Sequence, residues 1–165
     1  MHELKKWELC KKAYNAVEVL RRRKFDAHYA EDAAQAKAIV ESLIPDNAKV
    51  AVGGSVTLQE TGIMDLIKSG RYRFIDRFNN SSWEEELEKY RLGYLSDVFV
   101  TSSNAVTMEG QIVNIDCTGN RVGAIGFGPK KVIIVVGANK IVADAAEGIK
   151  RAKSVAPLNS KRIHH

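Results

Sequence analysis

Apolar positions along this 165-residue chain alternate between helical spacing and short unbroken runs. From Glu3 to Lys24, Leu4, Trp7, Ala13, Tyr14, Val17 and Leu20 recur at roughly helical intervals and predict a first helix. Arg21 to Lys24 fall at its C-terminal end, where cations complement the helix dipole. Phe25–Tyr29 reads as a short connection or edge strand. Ala30–Leu43 predicts a second helix, with Glu31 and Asp32 in its first turn and Ala33, Ala36, Ile39, Val40 and Leu43 inward. Lys49–Gly53 is a short apolar strand. Thr57-Leu58-Gln59-Glu60 has the form of a capping box and opens a helix over 57–69 with Leu58, Ile63, Leu66 and Ile67 inward. Tyr72–Phe78 predicts a strand. Two overlapping S-x-x-E boxes, from Ser81 and Ser82, then start a helix running to about Leu92, with Glu84, Glu85 and Glu86 in its first turn.

The second half is richer in strands. Asp97–Thr101 and Lys131–Gly137 are continuous apolar runs, as in parallel strands covered on both faces. Between them Ala105–Met108 and Gln111–Asp116, joined by Glu109-Gly110, read as a hairpin. Gly119-Asn120-Arg121 opens a short segment that ends at Gly128-Pro129. The last helix spans Val142–Lys153 with Ala145, Ala146 and Ile149 inward and Asn139 leading into it; Val155–Ile163 is an extended tail. This alternation predicts an α/β fold, a mainly parallel sheet with flanking helices and an antiparallel hairpin, in one domain over residues 1–165.

Composition narrows the class. Hydrophobic residues make up 45% and charged residues 27%, a soluble globular balance. The net charge of +5 favours anionic ligands or is an ordinary solvated surface. The basic run at Arg21–Lys24 lacks the interleaved aromatics of a nucleic-acid face, so no nucleic-acid partner is expected. The N-terminus carries no apolar leader and no run reaches the ~18 residues of a membrane helix, which predicts a cytoplasmic protein without a membrane partner. Cys10 and Cys117 are the two cysteines. They lie far apart and outside any paired motif, so no metal site and no cofactor motif are read.

Polar residues crowd the ends of the apolar strands, where open α/β sheets bind ligands. Gly53, Gly54, Ser55 and Thr57 lead from a strand into a helix and offer backbone N–H groups to an anion, or simply cap. Asn104 either orients a carboxylate or hydroxyl, or ties its own corner. Glu109 is the candidate general base, or an exposed hairpin acid; Asp116 is a second candidate acid, or bonds the turn before Gly119. Arg121, after Gly119 and Asn120, either clamps a carboxylate or phosphate through a two-pronged fork or reaches solvent. Lys140 neutralises an anion, forms a Schiff base or faces solvent. Cys117 is a reactive thiol or a small buried one. His28 stands alone, so a Ser-His-Asp triad is not supported.

Taken in order, Gly53-Gly54-Ser55, Thr101-x-x-Asn104-Ala105-Val106-Thr107-x-x-Gly110, Ile112-Val113-Asn114, Gly119-Asn120-Arg121-Val122, Gly128-Pro129, Gly137-x-Asn139-Lys140-Ile141-Val142 and Ala156-Pro157-Leu158-Asn159 resemble the LUD-domain (lactate utilisation, LutC/YkgG-like) family over about residues 5–163. The resemblance implies a fold like ribose-5-phosphate isomerase, glucosamine-6-phosphate deaminase and the CoA transferases (NagB/RpiA/CoA-transferase-like), whose members bind anionic substrates at strand ends. It brings Thr107 and Asn139 into the candidate ligand-binding set. It also implies an accessory subunit in the oxidation of lactate to pyruvate, binding a small anionic ligand beside an iron–sulfur protein partner. Many relatives carry extra cysteines after the Pro-Leu-Asn segment; here none follows, so the chain has no Cys₄ set of its own. The alternative is a stand-alone enzyme on a phosphorylated sugar, CoA thioester or related anion with Glu109 as base. A homo-oligomer is left open.

Overall fold

The computed structural model describes residues 3–79 and 82–162. In chain order its elements are helices α1 (Glu3–Arg22) and α2 (Ala33–Leu43), strand β1 (Lys49–Val52), helices α3 (Val56–Glu60) and α4 (Ile63–Lys68), strand β2 (Arg73–Phe74), helix α5 (Trp83–Tyr94), strands β3 (Val98–Thr101), β4 (Ala105–Thr107) and β5 (Ile112–Val113), helix α6 (Asn120–Phe127), strands β6 (Lys131–Ile134) and β7 (Ile141–Val142), and helix α7 (Ala145–Arg162). The chain forms two compact units. One gathers residues 1–29, 103–115 and 136–165; the other holds 30–102 and 116–135.

The second unit carries the larger core. Its four strands are all parallel and run in the order β2-β1-β3-β6. Side chains alternate across the pleat. Val50, Val52, Val98, Val100 and Ile133 join Val40, Leu58, Ile63 and Ile67 in one cluster, while Ala51, Phe99 and Ala124 form another with Ile75, Tyr94 and Val132. Gly93 lets α5 come close, a Cβ there meeting that of Ala51 at 3.4 Å. Asp32 caps α2, accepting from the Gln35 amide at 2.8 Å, and Ser82 caps α5, accepting from Glu85 N at 3.1 Å. The capping box at Ser82 is therefore real on its N-cap side; Ser81, start of the overlapping box, lies outside the described residues.

The helix expected over 57–69 is two helices. Gly62 adopts φ 68°, and its amide and that of Thr61 fold back onto Gln59 O and Thr57 O, the left-handed C-terminal stop that glycine favours. The expected Tyr72–Phe78 strand shrinks to Arg73–Phe74 at the sheet edge, and Phe25–Tyr29 forms no strand.

In the first unit a sheet ordered β5-β4-β7 pairs β4 antiparallel to β5 and parallel to β7. The hairpin turns through Gly110 at φ 78°, with Gly110 N donating to Thr107 O at 3.0 Å. A side chain there would also strike Arg23 Cδ at 2.8 Å. Strand β7 takes up Val142, where the sequence predicts the start of the last helix. The extended tail is not observed either: α7 continues from Ala145 through Pro157 to Arg162, with Ile163 outside the described residues. Its inward face is also shifted. Gly148 and Ala152 are buried while Ala146 and Ile149 are exposed, because a Cβ on Gly148 would sit 2.8 Å from Val113 Cγ2: α7 approaches this sheet by its small residues. On α1 the buried residues are Ala16 and Val17, while Leu4, Trp7 and Tyr14 are exposed.

Candidate functional site

Chain order reverses direction within the parallel sheet. From β1 the chain moves to β2 on one side, and β3 returns on the other, so the carboxyl ends of β1 and β3 flank the switch point where α/β sheets open a crevice. Beyond β1, Gly53 N donates to Val100 O at 3.0 Å. A Cβ on Gly53 would lie 2.3 Å from Thr101 Oγ1, so only glycine lets the two strand ends come this close. Ser55 Oγ is buried without a hydrogen-bond partner among the described residues. Ser55 is the N-cap of α3, with no side-chain cap bond, and Thr57 lies inside the helix. The capping box expected at Thr57 is thus not formed, and α3, five residues long, carries little dipole.

A cleft opens beside the same strand ends, on the face covered by α5 and α6. Ala51, Ile75 and Phe99 floor it; Arg77, Lys89, Tyr90 and Asn120 line its rim. Its enclosed room is about 10 Å³, space for one water-sized group. The Arg77 side chain is 12% exposed and stands 3.4 Å from Glu86. Its guanidinium lies 4.9 Å from the Tyr90 ring centroid and 4.8 Å from that of Phe78, within cation–π range. Tyr90 Oη donates to Glu86 Oε1. Burial, and then that bond, push the Tyr90 phenol up to about 12. Lys89 Nζ donates to Asn79 O at 2.8 Å and lies 3.2 Å from Glu85. Both cations are thus held by neighbouring acids.

The turn into α6 is built around Asp116. Arg121 Nε donates to its Oδ1 at 2.8 Å, Arg121 Nη2 lies 2.7 Å from the same oxygen, and Val122 N donates to Oδ2 at 2.7 Å. The side chains are 9% and 14% exposed for Asp116 and Arg121. Arg121 Nη1 also reaches Ser102 O at 3.4 Å. Arg121 thus neither reaches freely into solvent nor forms two parallel bonds: Nε and Nη2 converge on one oxygen of the protein's own carboxylate. Gly119, at φ 83°, precedes the helix.

In the first unit, Asn104 Oδ1 accepts from Ile115 N at 3.0 Å, and the Asn104 carbonyl accepts from Arg151 Nη1. Thr107 is fully buried; its hydroxyl oxygen accepts from Glu109 N at 3.2 Å and Gln111 N at 3.0 Å. Both serve the hairpin's own backbone. Glu109 sits exposed on the turn, its carbonyl accepting from Arg23 Nε at 2.5 Å. Asn139 does not begin the last helix: it is exposed on a 3₁₀ turn, Ala138–Lys140, ahead of β7, and Lys140 beside it is half-buried. Cys117 is exposed, so the buried reading of its thiol does not hold.

Of the residues chosen from the sequence, Asn120 alone lines the cleft. Arg77, Lys89 and Tyr90 were missed. Their signal is slight: an arginine just past a two-residue strand, and a lysine and tyrosine four residues beyond Glu85 and Glu86, a spacing that also describes an ordinary solvated helix face. No group of three or more His, Cys, Asp or Glu able to hold a metal occurs among the described residues. Among them no helix is long and apolar enough to cross a membrane.

Together these features define an α/β protein with a polar crevice at the switch point of a parallel sheet. The LUD domain family model matches residues 13–165, and the chain belongs to that family. No curated protein and no solved structure matches it.

Proposed function

We propose that this chain is an accessory subunit in the oxidation of lactate to pyruvate and binds a small anionic ligand. The family match over residues 13–165 carries the reading, since the family is associated with lactate utilisation proteins. The cleft supports the anionic part: Arg77 and Lys89 converge on an apolar floor next to the first turn of α6. A carboxylate head entering there exchanges one anion for another at Arg77, whose 3.4 Å contact with Glu86 is long. The redox chemistry falls to the iron–sulfur partner in this reading.

A thermal-shift panel of lactate, pyruvate, phosphorylated sugars, CoA thioesters and phosphate tests the ligand. A binder at about 100 times its dissociation constant stabilises by about 2.7 kcal/mol, raising the melting temperature by roughly 5–10 °C for a chain of this size. Arg77→Ala should abolish the shift; silence across the panel would count against the ligand. Turnover of lactate by the purified chain with a dye acceptor would sink the accessory role. Glu109→Gln addresses the stand-alone alternative, in which loss of a general base lowers turnover roughly 10²–10⁴-fold.

A further inference from the structure

Away from the cleft, at the edge where the parallel strands begin, the second unit displays large apolar side chains. Phe127 is 94% exposed and Leu95 75% exposed. Leu95 stands three residues before Val98, and Phe127 four before Lys131. Val98 and Lys131 are register partners on neighbouring strands, so the two residues occupy adjacent connections at one sheet edge. Tyr94, next to Leu95, approaches Gly128, next to Phe127. Glu88, Arg91 and Leu92 on α5 follow at i, i+3 and i+4, which places them on one stripe; Leu95 caps the helix just beyond, and all four are exposed. Large exposed apolar side chains gathered at one sheet edge are the feature that marks interaction sites.

The charges on the stripe choose the occupant. Arg91 and Glu88 pair with each other, both 65% exposed. Lys130, 87% exposed, and Arg73 share Asp97 at 3.5 and 3.7 Å. A rim of one sign would repel its own copy and fit an oppositely charged partner. A stripe with one cation and one acid beside an apolar centre complements itself under a two-fold rotation. We infer that this face is an interface between two copies of this chain, with Phe127 and Leu95 at its centre and Arg91 of one copy facing Glu88 of the other.

Sedimentation velocity on the full chain up to about 100 µM tests this. A dimer is expected. Phe127→Glu and Leu95→Glu should weaken it by about tenfold or more with an unchanged melting temperature of the monomer, because both positions are solvent-exposed. Arg91→Glu and Glu88→Arg should each weaken self-association, and an equimolar mixture of the two should restore it, since only the mixed pair joins opposite charges. A wild-type monomer throughout the range overturns the inference. So does a dimer indifferent to all four substitutions, or a mixture that fails to recover.

Discussion

At Tyr90, one phenol joins the cleft's polar rim to its acid. Burial and the bond to Glu86 raise it to about 12 from an ordinary 10.0. The folded state therefore holds this proton more tightly than the unfolded chain. The stabilisation is complete below pH 10 and is lost as pH rises toward 12. Tyr90→Phe should flatten this alkaline loss in chemical denaturation run across that window, and an unchanged slope would show that Tyr90 is not its source. The same scale explains why candidate residues were legible as polar corners but not as roles. Asn104, Thr107 and Asp116 stand where the sequence put them, yet their side-chain oxygens accept backbone amides of Ile115, Gln111 and Val122. A polar side chain near a strand end satisfies buried backbone as readily as it binds a ligand, and composition does not tell the two apart.

Among the elements, α7 departs furthest from expectation. Pro157 lacks an N–H, so the Lys153 carbonyl one turn earlier receives no bond from it. The helix nevertheless continues, with Lys153, Ala156, Pro157 and Leu158 exposed, where water can serve the freed carbonyl. Pro157→Ala should restore that bond, raise the helical circular-dichroism signal and slow amide exchange over 155–162; interior proline costs about 3 kcal/mol relative to alanine, less near a fraying end. If exchange in this segment is unaltered, the proline is not what limits it. The break between α3 and α4 has the opposite logic: Thr61-Gly62 stops a helix that the apolar spacing of Leu58, Ile63, Leu66 and Ile67 would have continued. Those four side chains are nevertheless all buried, because periodicity reports the buried face even where the backbone is interrupted.

At the scale of the whole molecule, the larger of the second unit's two apolar clusters packs against its parallel sheet. Ile67 is fully buried within it. Ile67→Ala should cost about 2–5 kcal/mol, readable by urea denaturation, and lower the melting temperature by roughly 4–20 °C. A loss below about 1 kcal/mol would mean that the site collapses around the deletion. The sequence by itself determined the α/β class, the strand starting at Lys49, the Asp97–Thr101 and Lys131 runs as parallel strands, the hairpin about Glu109-Gly110 and the capped start of α5. Each of these follows from local signals: period, β-rich runs, a cap, a glycine turn. Only the tertiary structure decided that the chain gathers into two units from discontinuous segments, that Ile141–Val142 adds a strand beside β4, that α7 packs by Gly148 and Ala152, and that Arg77, Lys89 and Tyr90 meet Asn120 at one cleft. These depend on contacts between residues distant in sequence, which no local period encodes.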